Sequence, residues 1–220
     1  MSNLQLFYLY GNNLNGSLPN EFGKLHSLEI FQLSINYISG PIPPSIGNLV
    51  NLGSLYLDEN NLSGLIPPSI GNLINLDVIV LSENNLSGLI PSTIGNMTKL
   101  RRLSLFSNSL TRNIPTEMIR HTDLKTLDLS HNNFVGHLPR NICVNGKLKY
   151  FVVSLNQFTG PVPESLKNCS SLKTVRLEQN QLTGDITDSF GVYPNLYYME
   201  LSDNNFYGHI SPNWGKCKDL

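Results

Sequence analysis

The chain has 220 residues, 15 of them basic and 16 acidic, for a formal charge of −1. So small a charge excludes the field that draws a protein to nucleic acid. No run approaches the roughly 18 apolar residues of a membrane-spanning helix, and 40% hydrophobic residues suit one packed, elongated domain.

The N-terminus, MSNLQLFYLYGNN, lacks the basic region and small-residue cleavage site of a signal peptide. It already carries the pattern that runs through the whole sequence. Asn12, Asn36, Asn60, Asn84, Asn108, Asn132, Asn156, Asn180 and Asn204 follow one another at a spacing of 24 without a slip. A fixed period of this size predicts a solenoid. In a solenoid, residues one period apart lie side by side, so a binding site is a column and not a local motif. The expected organisation is one array over 1–220, made of nine 24-residue copies. Both ends fall in mid-array without caps: Met1 takes a core position and Leu220 opens a further copy. The chain therefore reads as a segment of a longer array or the product of a truncated gene.

The cleanest copy starts at Leu49, LVNLGSLYLDENNLSGLIPPSIGN. Leu55 and Leu57 alternate as a strand with one buried face should. Leu62, Ile66 and Ile70 turn inward at irregular spacing, which excludes a continuous helix and suits an arc followed by a short 3-10 turn. Pro67 cannot sit inside a central strand, and Gly64 and Gly71 mark tight turns. The repeated Asn sits where the chain curves inward and backbone groups lose their strand partners. Its amide has two donors and an acceptor oxygen for those groups. The predicted fold is an α/β solenoid with a parallel sheet on its concave face and short 3-10 turns on its convex face.

The frame breaks mainly in the C-terminal half. Arg112 replaces a turn glycine, Thr187 and Ser211 replace the proline, and Ile119 and Cys143 stand where Gly71 and Gly95 would. Drift at surface turns is the plain reading of these changes. Cys169 and Cys217 occupy the core position of Leu25 and Leu49, so a buried thiol is the default for each. Cys143 lies one repeat plus two residues before Cys169, on the adjacent turn and within disulfide reach. Cys217 would then stay reduced or pair outside the chain. Sequons occur at Asn15, Asn61, Asn85, Asn96 and Asn168; Asn61 and Asn85 are expected to point outward.

No enzyme constellation is present, and no cofactor is implied. His26, His121, His131, His137 and His209 do not assemble a metal site by spacing, and phosphate-loop, zinc-protease and serine-hydrolase motifs are missing. What remains is the concave face. Its outward columns run Tyr8, Gln32, Tyr56, Val80, Ser104, Asp128, Val152, Arg176, Glu200, and beside it Tyr10, Ser34, Asp58, Ser82, Phe106, Ser130, Ser154, Glu178, Ser202. A third column includes Arg102, and Arg101, Lys125, Lys149 and Lys173 line one rim. The expected ligand positions are Tyr56, Asp58, Val80, Ser82, Arg102, Ser104, Phe106 and Asp128, a mixture of the kind from which hot spots are built. A shallow curved groove suits an extended peptide better than a compact small molecule.

The frame LxxLxxLxLxxNxLxGxIPxxIGx resembles the plant-specific class of leucine-rich repeat. NICVNGKLKY (Asn141 to Tyr150), GPVPESLKNCSSLKTVRLEQNQLTGDI (Gly160 to Ile186) and FGVYPNLYYMELSDNNFYGHISPNWGKC (Phe190 to Cys217) are similar to ectodomains of plant leucine-rich-repeat receptor-like kinases. The branch they resemble includes receptors for serine-rich endogenous peptides. The resemblance implies a right-handed superhelix and a glycoprotein at the extracellular face of the plasma membrane. It also implies a peptide or protein ligand and a shorter co-receptor leucine-rich-repeat kinase. A kinase domain belongs only to a full-length parent. Two alternatives remain: a soluble inhibitor of a secreted cell-wall-degrading enzyme, and a decoy or scaffold from a truncated receptor gene.

Overall fold

The computed structural model describes residues 3–120 and 123–217; Met1, His121 and Leu220, assigned above to frame positions, lie outside them. Each repeat contributes two short strands, and these build two parallel nine-stranded sheets along the array. The first sheet holds the L-x-L segments, from Leu6–Tyr8 through Ser54–Tyr56 to Tyr198–Glu200. Its pairing advances by one full repeat per strand, as in Leu55 opposite Ile79. Leu55, Leu57, Ile79 and Leu81 point into the core and are wholly buried.

The second sheet was not foreseen. It is made from the N-L-x-G segments that sequence patterning assigned to an arc, for example Asn61–Leu65 and Asn133–His137. Its register advances by 22 residues, not 24: Ser39 lies opposite Asn61, and Ser63 opposite Asn85. Leu62, Leu86, Leu110 and Phe134 fill the core behind it.

The repeated Asn explains how two sheets of different register meet. Asn60 Nδ2 donates to the carbonyls of Leu33, Leu57 and Asp58 at 3.0, 3.2 and 3.1 Å, and Oδ1 accepts the Ile38 amide at 3.0 Å. One side chain thus closes its own turn and ties both strands of the preceding repeat. Asn84, Asn132, Asn156 and Asn180 repeat the pattern from buried positions. The residue before each repeated Asn is left-handed, including Ile35 before Asn36 at φ 58° and Leu155 before Asn156 at φ 54°. That conformation costs a non-glycine residue roughly 1–2 kcal/mol. It persists because each following amide, such as Asn36 N to Glu59 O at 3.1 Å, is fixed by the next repeat.

On the convex side, 3-10 turns run over Pro44–Asn48, Pro68–Asn72 and Ser92–Asn96. Their glycine permits close stacking: a Cβ on Gly71 would run into the Thr93 carbonyl and stand 2.5 Å from the Thr93 Cβ. The expected 3-10 turns are present, though not in every repeat. Thr116–Arg120, Glu164–Lys167 and Ile186–Ser189 are short α-helical turns. Two of the frame breaks, Ile119 and Thr187, lie in these turns. Ile119 and Lys167 stand at the stacking-glycine position, where a side chain forbids the tight approach. Thr187 has the N–H that Pro67 lacks, and Asp185 caps it at 2.9 Å. Arg112 keeps the glycine's conformation, at φ 69°.

Cys143 and Cys169 are joined by a disulfide, with Cα atoms 5.8 Å apart. Cys217 is a buried free thiol whose sulfur receives the Tyr193 amide at 3.3 Å. Among the described residues, no helix is long and apolar enough to cross a membrane.

Candidate binding face

The first sheet presents its alternate residues outward, because side chains two apart on a strand share a face. Of the expected ligand positions, Arg102 is exposed and Tyr56, Asp58, Phe106 and Asp128 are half-buried. Val80, Ser82 and Ser104 are buried, at 5%, 1% and 4% exposure, and so do not present the surface assigned to them. The cause is geometric. Strands lie about 4.8 Å apart, so a short side chain flanked by taller column neighbours is covered. Ser82 and Ser104 bond each other at 2.7 Å across adjacent columns. Asp58 is held back toward the second repeat by the Ser34 hydroxyl at 2.6 Å.

Asp128 accepts the hydroxyl and amide of Ser130 at 2.6 and 3.1 Å. Burial raises its carboxyl above the usual aspartate value, against the downward pull of those bonds and of Arg176 and Arg102. Glu200 is held below its usual value by the Ser202 hydroxyl, with Tyr198 and Arg176 assisting. At the rim, Arg101 faces Asp77 at 3.6 Å, both half-exposed; such a pair contributes little in water. All four rim residues also serve the backbone: the carbonyl of Lys125, for instance, takes the amides of Lys149 and Tyr150 at 2.8 and 3.0 Å.

Further along the same columns, Arg176 pairs with Glu178, whose side chain is 7% exposed. These two were not among the expected ligand positions. Their signal was present: a cation at a strand end and a carboxylate two residues on, the carboxylate in a column dominated by hydroxyls. Among the described residues, no cluster of His, Cys, Asp and Glu could hold a metal ion. The sequon residues Asn15, Asn61, Asn85, Asn96 and Asn168 are all exposed, and none belongs to a strand of the first sheet.

Profiles of the leucine rich repeat match residues 50–110, and again 3–25, 27–49 and 123–145. The chain belongs to the leucine-rich-repeat family. Among solved structures, this leucine-rich-repeat array is similar to the plant peptide hormone receptor RGFR1 in complex with RGF2. The two are 34% identical with a TM-score of 0.96, covering 100% of this chain and 35% of that one. It is also similar to the Arabidopsis receptor kinase HAESA in complex with the peptide hormone IDA and the co-receptor SERK1. There the identity is 31% and the TM-score 0.72, over 100% of this chain and 45% of that one. A plant ice-binding protein matches at 26% identity and TM-score 0.82, over 94% of this chain and 67% of its own. The chain thus spans between a third and a half of the receptor ectodomains it matches. Comparison with curated protein sequences gives no match.

Proposed function

We propose that this array is the ligand-binding segment of a plant cell-surface leucine-rich-repeat receptor kinase, displayed outside the plasma membrane. It holds an extended peptide along its concave sheet and works with a shorter co-receptor kinase. Any catalysis resides in a kinase domain of the parent receptor and not in these repeats. The observation that carries the reading is the open concave face: Arg102 and Asp58 lie there among half-buried aromatics, and all five glycan acceptors lie elsewhere. Nine strands about 4.8 Å apart span roughly 38 Å, enough for about a dozen extended residues. The similarity to peptide-hormone receptors over the whole chain supports the same ligand class.

The test is to pan a phage-displayed library of short linear peptides against the glycosylated chain. Captured peptides are then re-measured against Asp58→Lys and Arg102→Glu. Weaker binding in the variants is expected, and unchanged affinity in both would sink the groove assignment.

A second reading rests on the outer face of the second sheet. Ser39, Ser63, Ser87, Thr111, Thr159 and Thr183 place hydroxyls there once per repeat, interrupted by Val135 and stepped by two residues from strand to strand, and a plant ice-binding protein shares the fold. Thermal hysteresis of the purified chain tests it: none at high concentration discards it.

A further inference from the structure

The concave face carries a second cluster, beyond the residues assigned to the peptide groove. Parallel pairing sets Asp128 beside Val152, Val152 beside Arg176, and Arg176 beside Glu200. Two residues on, just past the strand ends where backbone pairing continues, come Ser154 and Glu178 on the same face. Three carboxylates (Asp128, Glu178, Glu200) and one guanidinium (Arg176) leave this patch a formal charge of −2, that is 1 − 3.

Its hydrogen bonding is unfinished. Arg176 donates to Glu178 Oε1, but among the described residues Glu178 Oε2, Ser154 Oγ and Arg176 Nε are buried without a partner. Ser154 is 1% exposed and Glu178 6%. Buried polar atoms are normally paired, so three orphans in adjacent columns call for an explanation. Arg176 is the outer member of the pair, with 43% of its side chain exposed against 7% for Glu178. Its long flexible stem can pivot about the bond to Glu178 Oε1 and admit a ligand group to the acceptors beneath.

We propose that this patch is a cation subsite that takes the guanidinium of an arginine side chain from a bound peptide. The ligand guanidinium donates to Glu178 Oε2 and Ser154 Oγ, with Glu200 and Asp128 supplying further negative charge at the margins. Arg176 keeps Oε1 and offers Nε to a ligand carbonyl. A guanidinium suits the site better than an ammonium, because its donors form a planar fork that can meet two acceptors at once. The proposal rests on the peptide-binding reading only for the source of the arginine; the subsite itself can be probed alone.

The probe is N-acetyl-arginine amide, titrated into the full chain and followed by NMR. N-acetyl-citrulline amide has nearly the same shape without the charge, and N-acetyl-lysine and N-acetyl-aspartate amides complete the set. Saturable binding of the arginine probe is expected, with lysine weaker and citrulline silent. Glu178→Gln should weaken it by roughly tenfold or more. Glu200→Gln alters an accessible side chain and should weaken it by a few-fold, which keeps the test decisive should Glu178→Gln fail to fold by circular dichroism. The proposal is overturned if the arginine probe does not bind, or binds equally to the wild type and both variants. It is also overturned if the aspartate probe binds instead and Arg176→Gln abolishes that binding. Library peptides that depend on Asp58 and Arg102 without favouring arginine would remove the subsite and leave the groove. Arginine-probe binding with no captured peptide would do the reverse.

Discussion

Replacing Asn84 by alanine tests how the repeats hold together. Its Nδ2 donates to the carbonyls of Leu57, Leu81 and Ser82 at 3.0, 3.3 and 3.0 Å, and its Oδ1 accepts the Leu62 amide at 2.9 Å. The carbonyls are shared: Leu57 O is also served by Asn60, Leu81 O by Asn108, and Ser82 O by the Glu59 amide. They therefore fall back to one bond each, while the Leu62 amide loses its side-chain acceptor inside the core. An orphaned buried amide costs roughly 1–3 kcal/mol and the three weakened carbonyls together about 1 more, so the expected loss is about 2–4 kcal/mol. Asn12 is the internal control. It is exposed, and among the described residues its side chain bonds only the Leu9 and Tyr10 carbonyls, at 3.1 and 3.2 Å. Its replacement should cost less than about 1 kcal/mol. Urea unfolding followed by far-UV circular dichroism reads both. Because neighbouring repeats are coupled, a central defect lowers the midpoint of the whole array. Equal losses at the two positions, or less than about 0.5 kcal/mol at Asn84, would refute the reasoning.

Arg112→Gly should raise the thermal midpoint, because relief of a left-handed arginine, about 1–2 kcal/mol, outweighs the entropy of glycine, about 0.5–1. Asp128 predicts a pH effect. Its carboxyl is raised by burial, so the folded chain holds that proton more tightly than the unfolded chain, whose value is about 3.9. Ionised Asp128 therefore penalises folding above its folded-state pKa, and the penalty fades as pH falls through that value toward about 3.9. Asp128→Asn, which keeps an acceptor for Ser130, should raise the urea midpoint near pH 7 and lose its advantage near pH 3. Removing the bond that spans 26 residues, with Cys143→Ser and Cys169→Ala, should lower stability by about 3 kcal/mol in the same assay.

The repeat length, the inward leucines and the first sheet were legible because each rests on a periodic signal that side chains carry directly. The second sheet was hidden. Its strands are interrupted by glycine, and its register of 22 does not match the sequence frame of 24. The left-handed turns before each Asn were also invisible: Gly11 fits one, but Ile35 and Leu155 are residues that disfavour it. There the adjacent repeat overrides local preference, which one copy alone cannot reveal. The concave columns could be listed from the frame, but their exposure could not. Whether Val80 or Ser104 reaches solvent depends on the height of the side chains one repeat away. The Arg176–Glu178 pair was readable as a motif, whereas its unpaired atoms needed coordinates.

Whether a peptide lies along the first sheet is tested most directly by site-specific photocrosslinking with a peptide captured from the library. A photoreactive phenylalanine analogue is placed at Phe106 on the concave face or at Ser87 on the second sheet. An adduct is expected from Phe106 and none from Ser87. Crosslinking from Ser87 alone would place the ligand on the other sheet and contradict the groove assignment.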